Sequence, residues 1–169
     1  MKENMSEAPR KVAVSRGKKC WYLTLNTDIV QTDEGYDCNS VIVQLDHRPT
    51  INDVRQLFMA YVNGKTDEKI LKGFVWNGKK VWLSTENQFN FKAAYDAAVQ
   101  TEGASLPVKF KLGEDENGKP EYHTFEDFVE FTDFYMGALA YIQQCLTEGW
   151  EEKDGFDEKE YEDLLSNNE

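Results

Sequence analysis

The sequence predicts an α+β protein in which antiparallel β-hairpins pack on two or three helices. Three patterns indicate this class: alternating apolar and polar residues, apolar residues at helical spacing in longer segments, and Asn-Gly pairs where hairpins turn. The chain of 169 residues is 40% hydrophobic, which suits one domain with a buried core. We expect a single domain at residues 20–148, between a basic flexible arm (1–19) and an acidic tail (149–169).

The two ends of the chain carry opposite charges. Residues 1–19 hold six bases and two acids, whereas residues 148–169 hold ten acids and two lysines. Such runs are typical of solvated tails, and the alternative is that they dock neighbouring subunits. Apolar residues in the acidic tail are spaced so that three can share one face of a short amphipathic helix. That helix either folds on a partner or folds back on its own domain.

Two strands and a helix are predicted in the first half of the chain. The segment "CWYLTLN" (20–26) alternates as a half-buried strand does, and "NSVIVQL" (39–45) is rich in β-branched residues. Turn-forming residues separate the two strands. A helix then opens after Pro49-Thr50, carries apolar residues at helical spacing, and is expected to end at Asn63-Gly64.

A hairpin and a second helix follow. The strands "GFVW" and "KKVWLS" are joined by Asn77-Gly78, a pair that tolerates the positive φ angles of a tight turn. Thr85 is the predicted N-cap, with Gln88 three residues later as in a capping box, and Gly103 ends the helix. The residues expected on its buried side are Phe89, Ala93, Ala97 and Val99. Two aromatic residues, Phe91 and Tyr95, are expected to flank them.

The last predicted elements are another hairpin and the longest helix. The segment "LPVKFKL" (106–112) alternates, Asn117-Gly118 marks a turn, Tyr122 belongs to a short returning strand, and Thr124 is the predicted helix cap. The helix has two apolar rows, which are Phe125, Phe128, Thr132, Tyr135, Leu139, Ile142 and Leu146, and Phe131, Phe134, Ala138, Tyr141 and Cys145. Two rows make the apolar face wider than one sheet needs. The helix therefore either lies in the middle of the core or offers a face to another subunit.

The residues form no recognisable catalytic or metal-binding pattern. There is no nucleophile elbow, phosphate-binding loop or dinucleotide fingerprint. The three cysteines and two histidines are widely spaced, which disfavours a zinc site or a disulfide framework, with a Cys20–Cys38 bridge as the alternative. His47 and His123 are interpreted as turn residues rather than bases. We therefore predict no enzyme, no cofactor and no metal.

The net charge of −12 disfavours direct binding to nucleic acid or to an anionic membrane, and leaves proteins as the expected partners. Trp21, Trp76 and Trp82 are candidates for a stacking platform, but only Lys79 and Lys80 accompany them, so hairpin packing is the preferred interpretation. The polar beginning of the chain has no apolar leader, and no stretch has the length of a membrane span. We expect an intracellular protein.

A family resemblance begins at the aromatic hairpin. The sequence "VWNGKKVWLS" leads to a polar helix entrance with Ser84, Glu86, Gln88 and Asn90, an alanine-rich helix, Leu106-Pro107 before a strand, a tight turn, and a closing helix. From Gly73 to about Phe156 this pattern resembles a phage-encoded domain of unknown biochemical function, found in tail-fibre and tail-fibre-assembly proteins. The family often has a tryptophan after the Leu-Pro pair, where this chain has Val108 and Phe110. Residues 1–72 carry no part of the resemblance.

The resemblance implies a phage or prophage structural or assembly protein that acts through protein–protein contacts, as a virion or tail-associated component or an assembly factor. It implies a homo- or hetero-oligomer, located in the host cytoplasm during assembly or in the virion. It transfers no catalytic residue, and the polar residues of the helix entrance are expected to bond nearby backbone. The expected partner contacts are Phe131, Phe134, Tyr141, Trp150, Phe156, Tyr161, Leu164 and Leu165.

An alternative function follows from the charge alone. Compact acidic proteins can occupy the basic groove of a nucleic-acid-binding protein. The second hypothesis is therefore an acidic inhibitor or regulator of such a host protein.

Overall fold

The structure, a computed structural model, describes residues 2–5, 8–33 and 35–166. It confirms the α+β class, since the described residues form antiparallel hairpins and four helices. Contacts along the chain divide it into two compact units, residues 1–63 with 152–169, and residues 64–151.

The first unit is built on a four-stranded antiparallel sheet. The strands are β1 (Lys2–Met5), β2 (Val12–Arg16), β3 (Trp21–Thr32) and β4 (Gly35–Leu45), arranged in the order β1-β4-β3-β2. Helix α1 (Ile51–Gly73) begins in this unit, and α4 (Glu158–Ser166) belongs to it. Its core consists of the buried residues Val12, Leu23, Leu25, Val54, Leu57 and Tyr161.

Strands β3 and β4 are longer than the sequence predicted. Residues 27–31, expected as a turn, continue β3, and the hairpin closes where Thr32 pairs with Gly35. The register shifts between Thr27 and Val30, and Asp28 there has a φ of 51°. Asp28 therefore lies at an irregularity within the strand, as in a β-bulge, whereas the predicted turn residues Asp33 and Gly35 lie where the hairpin closes.

Both terminal segments differ from the predicted tails. Residues 12–16 form β2, which pairs with β3 and buries Val12 completely. The acidic residues 158–166 form α4, whose Tyr161 is 7% exposed. The apolar residues in these segments are few, but alternation in β2 and helical spacing in α4 turn them toward one core.

Cys20 and Cys38 are free thiols, so the bridge between them that the sequence left as an alternative is not formed. Cys20 precedes Trp21, which pairs with Leu45, whereas Cys38 lies beside Asn39, which pairs with Thr27. The two residues therefore lie toward opposite ends of one hairpin, farther apart than a disulfide spans.

The second unit contains two short hairpins and parts of three helices. Its elements besides the end of α1 are β5 (Phe74–Trp76), β6 (Lys79–Val81), α2 (Thr85–Gln100), β7 (Val108–Glu114), β8 (Pro120–Phe125) and most of α3 (Phe128–Asp154). The buried core is Ile70, Phe74, Trp76, Val81, Leu83, Phe91, Ala98, Leu112, Phe125, Phe131, Phe134, Ala138 and Cys145.

Three helix boundaries differ from those predicted. Helix α1 does not end at Asn63-Gly64 but continues to Gly73, because apolar residues such as Ile70 are buried beyond the expected stop. Ser84 rather than Thr85 caps α2, and its side chain accepts a hydrogen bond from the Asn87 N–H.

The start of α3 is also shifted. Thr124 belongs to β8, and α3 begins four residues later at Phe128. The Asp127 carboxylate accepts the Glu130 N–H at 2.9 Å, so Asp127 fills the capping role assigned to Thr124.

The buried side of α2 was also assigned incorrectly from the sequence. Phe91 and Ala98 are the residues of this helix that are buried, whereas Phe89 is 70% exposed and Val99 is 50% exposed. The stripe that faces the core contains Phe91, Tyr95 and Ala98, at i, i+4 and i+7 spacing.

Two glycines should respond oppositely to alanine. A Cβ at Gly64, inside α1, would meet nothing within 4 Å, so Gly64→Ala should stabilise the protein by about 0.5–1 kcal/mol through backbone entropy. A Cβ at Gly113 would lie 2.5 Å from the Lys80 carbonyl oxygen, so Gly113→Ala should destabilise it by about 1–3 kcal/mol. Urea unfolding measures both, and a Gly113→Ala variant as stable as wild type would contradict the close approach of β6 and β7.

Candidate functional site

The structure separates the two apolar rows of α3. In the row that begins at Phe131, the side chains of Phe131 and Phe134 are wholly buried and Cys145 is 1% exposed. In the other row, Leu139 is 42% exposed, and Tyr135 lies at the edge of the core. One row of the wide apolar face therefore packs in the core, and part of the other row lies at the surface.

The outer row lines a groove beside α2, which we call the α2–α3 groove. Its volume is about 250 Å³. The residues that line it are Leu83, Thr85, Gln88, Phe89, Phe91, Lys92, Tyr135, Ala138, Leu139 and Ile142. The lining is mainly apolar and contains no carboxylate, imidazole or thiol.

Hydrogen bonds at the start of α2 fix one wall of the groove. The Gln88 side chain donates from Nε2 to the Leu83 carbonyl at 2.6 Å, and Asn87 donates from Nδ2 to the Trp82 carbonyl at 2.8 Å. Backbone bonding at the helix entrance was expected of Gln88, and Asn87 shares this role. Because the first turn is held on both sides, Phe91 points into the core and Phe89 points outward.

The groove floor is rigid because aromatic rings interlock beneath it. The Phe91 ring meets those of Phe134 and Phe110 edge to face, with centroids 5.0 and 4.9 Å apart. Tyr95 stacks on Tyr135 at 4.3 Å. Such pairs add about 0.5–1.5 kcal/mol each beyond the burial of their area. The groove is therefore a preformed feature of the second unit.

Charges at the rim of the groove have both signs. Lys92 and Asp96 form an i, i+4 ion pair at 2.6 Å on the surface of α2, and the hydrogen bond that the Lys92 ammonium donates to Asp96 raises the pKa of Lys92. Glu86 lies one and a half turns earlier and is exposed. These three charges sum to −1, so the rim carries both signs, whereas the chain as a whole has a net charge of −12.

The predicted contact residues of α3 mostly lie inside the protein. Phe131 and Phe134 are enclosed in the core, so neither can contact a partner in the folded chain. Tyr141 is half-buried and donates from its hydroxyl to the Lys69 carbonyl at 2.9 Å, and burial raises its pKa to about 12. Trp150 is 50% exposed and is the member of this group that remains available.

The predicted contact residues of the acidic segment pack within the first unit. Phe156 and Tyr161 stack with ring centroids 4.7 Å apart, and Leu164 and Leu165 pack against the same core. Lys11 pairs with Glu160 at 2.6 Å, and that hydrogen bond raises the pKa of the Lys11 ammonium. The alternative in which the segment folds back on its own domain is the one observed.

His123 is part of a packed polar network. Lys79 Nζ lies 3.4 Å from His123 Nδ1, and His123 Nε2 lies 3.0 Å from a Glu130 carboxylate oxygen. The imidazole meets Trp76 edge to face, and Trp76 Nε1 donates to Asp133 at 3.0 Å. Each polar group therefore has a partner, and no nucleophile lies beside the imidazole in these contacts.

His47 supports the start of α1. The Asp53 carboxylate accepts from the Thr50 N–H and hydroxyl and lies 3.1 Å from His47 Nε2, while Asp46 lies 2.8 Å from Nδ1. The hydrogen bonds that the imidazole makes to the carboxylates of Asp46 and then Asp53 raise the pKa of His47. This arrangement is a helix cap.

Two further features are absent among the described residues. No group of three or more histidines, cysteines or acids there is placed to hold a metal ion. Among the same residues, no helix combines the length and apolar character needed to cross a bilayer.

Comparisons of this chain with models of known families, with curated proteins and with solved structures find no match. The resemblance to the phage domain therefore stays a prediction from the motifs quoted above.

The packing of α4 predicts that Tyr161 stabilises the first unit. Tyr161→Ala should lower the free energy of unfolding by about 3 kcal/mol, because it removes a buried ring that contacts Phe156 and Phe58. Glu162→Ala, at the neighbouring exposed position, is the control and should change stability by less than about 0.5 kcal/mol. Equal, small effects of both substitutions in urea unfolding would show that the acidic segment is a solvated tail.

Proposed function

We propose that this chain is a structural or assembly protein of a phage or prophage that acts through protein–protein contacts and not through catalysis. In this proposal it works in the host cytoplasm during particle assembly, or is part of the virion. Two supports are independent of each other: the resemblance of residues 73–156 to the phage domain, and the α2–α3 groove. We further propose that the groove joins two copies of this chain.

The observation that carries the proposal is an apolar groove at the surface with a protruding ring beside it. Phe89 is 70% exposed, and Leu139 is 42% exposed on the facing helix. Burying a side chain of this kind is favourable by about 1.5–3 kcal/mol. A groove and several large apolar side chains on one surface are typical of an interaction site.

The size and chemistry of the groove favour a protein side chain over a small-molecule ligand. Its volume of about 250 Å³ lies below the range of roughly 300–1,000 Å³ found for ligand pockets. Ligand pockets also have a few polar groups that converge on the ligand, whereas three of the four polar side chains here, Thr85, Gln88 and Lys92, lie on α2, and the fourth is Tyr135 on α3. Apolar side chains from another protein surface fit this site best.

A second copy of the chain is the occupant that matches the surface. Interfaces with two-fold symmetry join the same patch on both subunits, so the patch must contain both a projection and a hollow. Phe89 is the projection and the groove is the hollow. The rim carries Lys92 together with Asp96 and Glu86, so each copy offers both signs of charge to the other. The net charge of −12 does not prevent this, because charges beyond about 8 Å are largely screened at physiological salt.

The solution mass tests the self-association. Sedimentation equilibrium of the full chain should give a mass near twice 19.5 kDa, falling toward the monomer on dilution. Leu139→Asp should weaken the association at least about tenfold, since each copy would bury an unpaired carboxylate.

Val129→Asp is the matched control. It puts the same charge on the same helix at a position that is 74% exposed and does not line the groove. This variant should associate as wild type does. A wild-type chain that remains monomeric at its highest soluble concentration, or equal masses for the two variants, would contradict self-association through the groove.

The phage assignment has its own test, which does not depend on the mass. Mass spectrometry of particles and tail-assembly intermediates, purified after induction of the host that carries the gene, should detect this chain in one of them. Its absence from both fractions, when it is abundant in the same lysate, would contradict a structural or assembly role.

A further inference from the structure

A second surface of the unit at residues 64–151 carries lysines and aromatic rings close together. Exposed and core-facing residues alternate in β7. Lys109 and Lys111 are exposed, whereas Phe110 and Leu112 turn toward the core. Lys111 pairs in register with Tyr122 of β8, whose side chain is 54% exposed. Strand alternation therefore places these lysines and this tyrosine on the outer face of the hairpin.

Strand β6 extends the same face. The Trp82 N–H donates to the Leu112 carbonyl at 2.8 Å, and Gly113 allows the Lys80 carbonyl to approach closely. Since Val81 is completely buried, the exposed Lys80 and the half-buried Trp82, which directly follows β6, turn outward on either side of it. Lys80, Trp82, Lys109, Lys111 and Tyr122 together form what we call the lysine–aromatic face.

The lysines lie over the rings. Lys109 Nζ is 4.9 Å from the centroid of the Tyr122 ring, and Lys111 Nζ is 5.2 Å from that of Trp82. The cation–π attraction holds each ammonium beside an aromatic surface. Lys111 also pairs with Glu114 at 3.1 Å, the one carboxylate that contacts these lysines among the described ion pairs.

This combination matches the two requirements of single-stranded nucleic acid. Ammonium groups contact phosphates, and exposed rings stack on unpaired bases, each stacked base contributing about 1–3 kcal/mol. An acidic peptide would use the lysines but leave the rings without a partner, and a duplex hides the faces of its bases. We propose that the lysine–aromatic face binds single-stranded nucleic acid.

The proposal departs from the prediction that the chain makes no direct contact with nucleic acid. That prediction uses the charge of the whole chain, which is −12. A bound strand experiences mainly the charges within about 8 Å at physiological salt. Three lysines of the lysine–aromatic face exceed the two acids beside it, which are Glu114, paired with Lys111, and Glu121, which precedes Tyr122 in β8, so the local charge is positive. The face is separate from the α2–α3 groove, and either proposal can fail without the other.

Fluorescence polarisation with a labelled oligothymidylate of about 15 nucleotides tests the proposal on the full chain. Binding should be saturable, and the logarithm of the affinity should fall with the logarithm of salt concentration with a slope of about −2, as expected for about three phosphate contacts. The double variant K109Q/K111Q should bind at least about fivefold more weakly. Lys72→Gln, which removes an exposed lysine on α1, should bind as wild type does.

The role of the rings needs its own variants. Tyr122→Ala should weaken binding about fivefold or more, whereas Tyr122→Phe keeps the ring and should bind normally. The position is exposed, and unchanged thermal unfolding would verify that both variants are folded.

Three results would overturn the proposal. The first is no saturable binding of the oligonucleotide at low salt. The second is equal affinity for polyglutamate with no effect of Tyr122→Ala, which would identify the face as a site for acidic protein. The third is tighter binding of a duplex of the same length.

Discussion

The inward row of α3 is the constraint on which the second unit depends. Phe134 lies at the centre of its core, with ring centroids 4.9–5.3 Å from those of Phe125, Phe91 and Trp76. A helix presents only one stripe to a given core, so the burial of Phe134 and its row fixes the rotation of α3. The second apolar row must then lie partly at the surface, and it forms one wall of the α2–α3 groove. The candidate interaction site is thus a consequence of how the core is packed.

The first unit depends on contacts between distant parts of the chain. The acidic segment returns to the basic one and to α1, with Glu160 beside Lys11 and Glu158 beside Arg55 of α1. Exposed ion pairs of this kind contribute little, about 0–1 kcal/mol each. The buried ring of Tyr161 contributes more, so burial holds α4 in place and the charges mainly favour its orientation. The Lys11–Glu160 contact between the two oppositely charged ends is therefore made inside one chain, without a neighbouring subunit.

Local signals in the sequence were sufficient for the class of fold and for several turns. Asn77-Gly78 forms the predicted hairpin because both residues adopt positive φ angles, 46° and 76°, which depend on little beyond the two residues themselves. Where tertiary packing competes with a local signal, the prediction was wrong. Gly64 weakens a helix by only about 1 kcal/mol, and the burial of Ile70 outweighs it. The faces of α2 and α3 could not be assigned because each helix has more aromatic positions than one core can hold. Nor could the lysine–aromatic face be found, since it joins β6 to β7 across more than twenty residues of sequence.

In helix α3 the side chains of Phe131, Phe134 and Cys145 face the core, while Leu139 faces solvent. Thiol labelling of a Leu139→Cys variant, followed site by site by mass spectrometry at a low protein concentration, tests it most directly. The native Cys145, 1% exposed on the same helix, is the internal reference. The structure predicts that Cys145 reacts orders of magnitude more slowly than the introduced thiol, because the reagent can reach Cys145 only when the protein opens. Equal rates at the two positions, or faster labelling of Cys145, would contradict it.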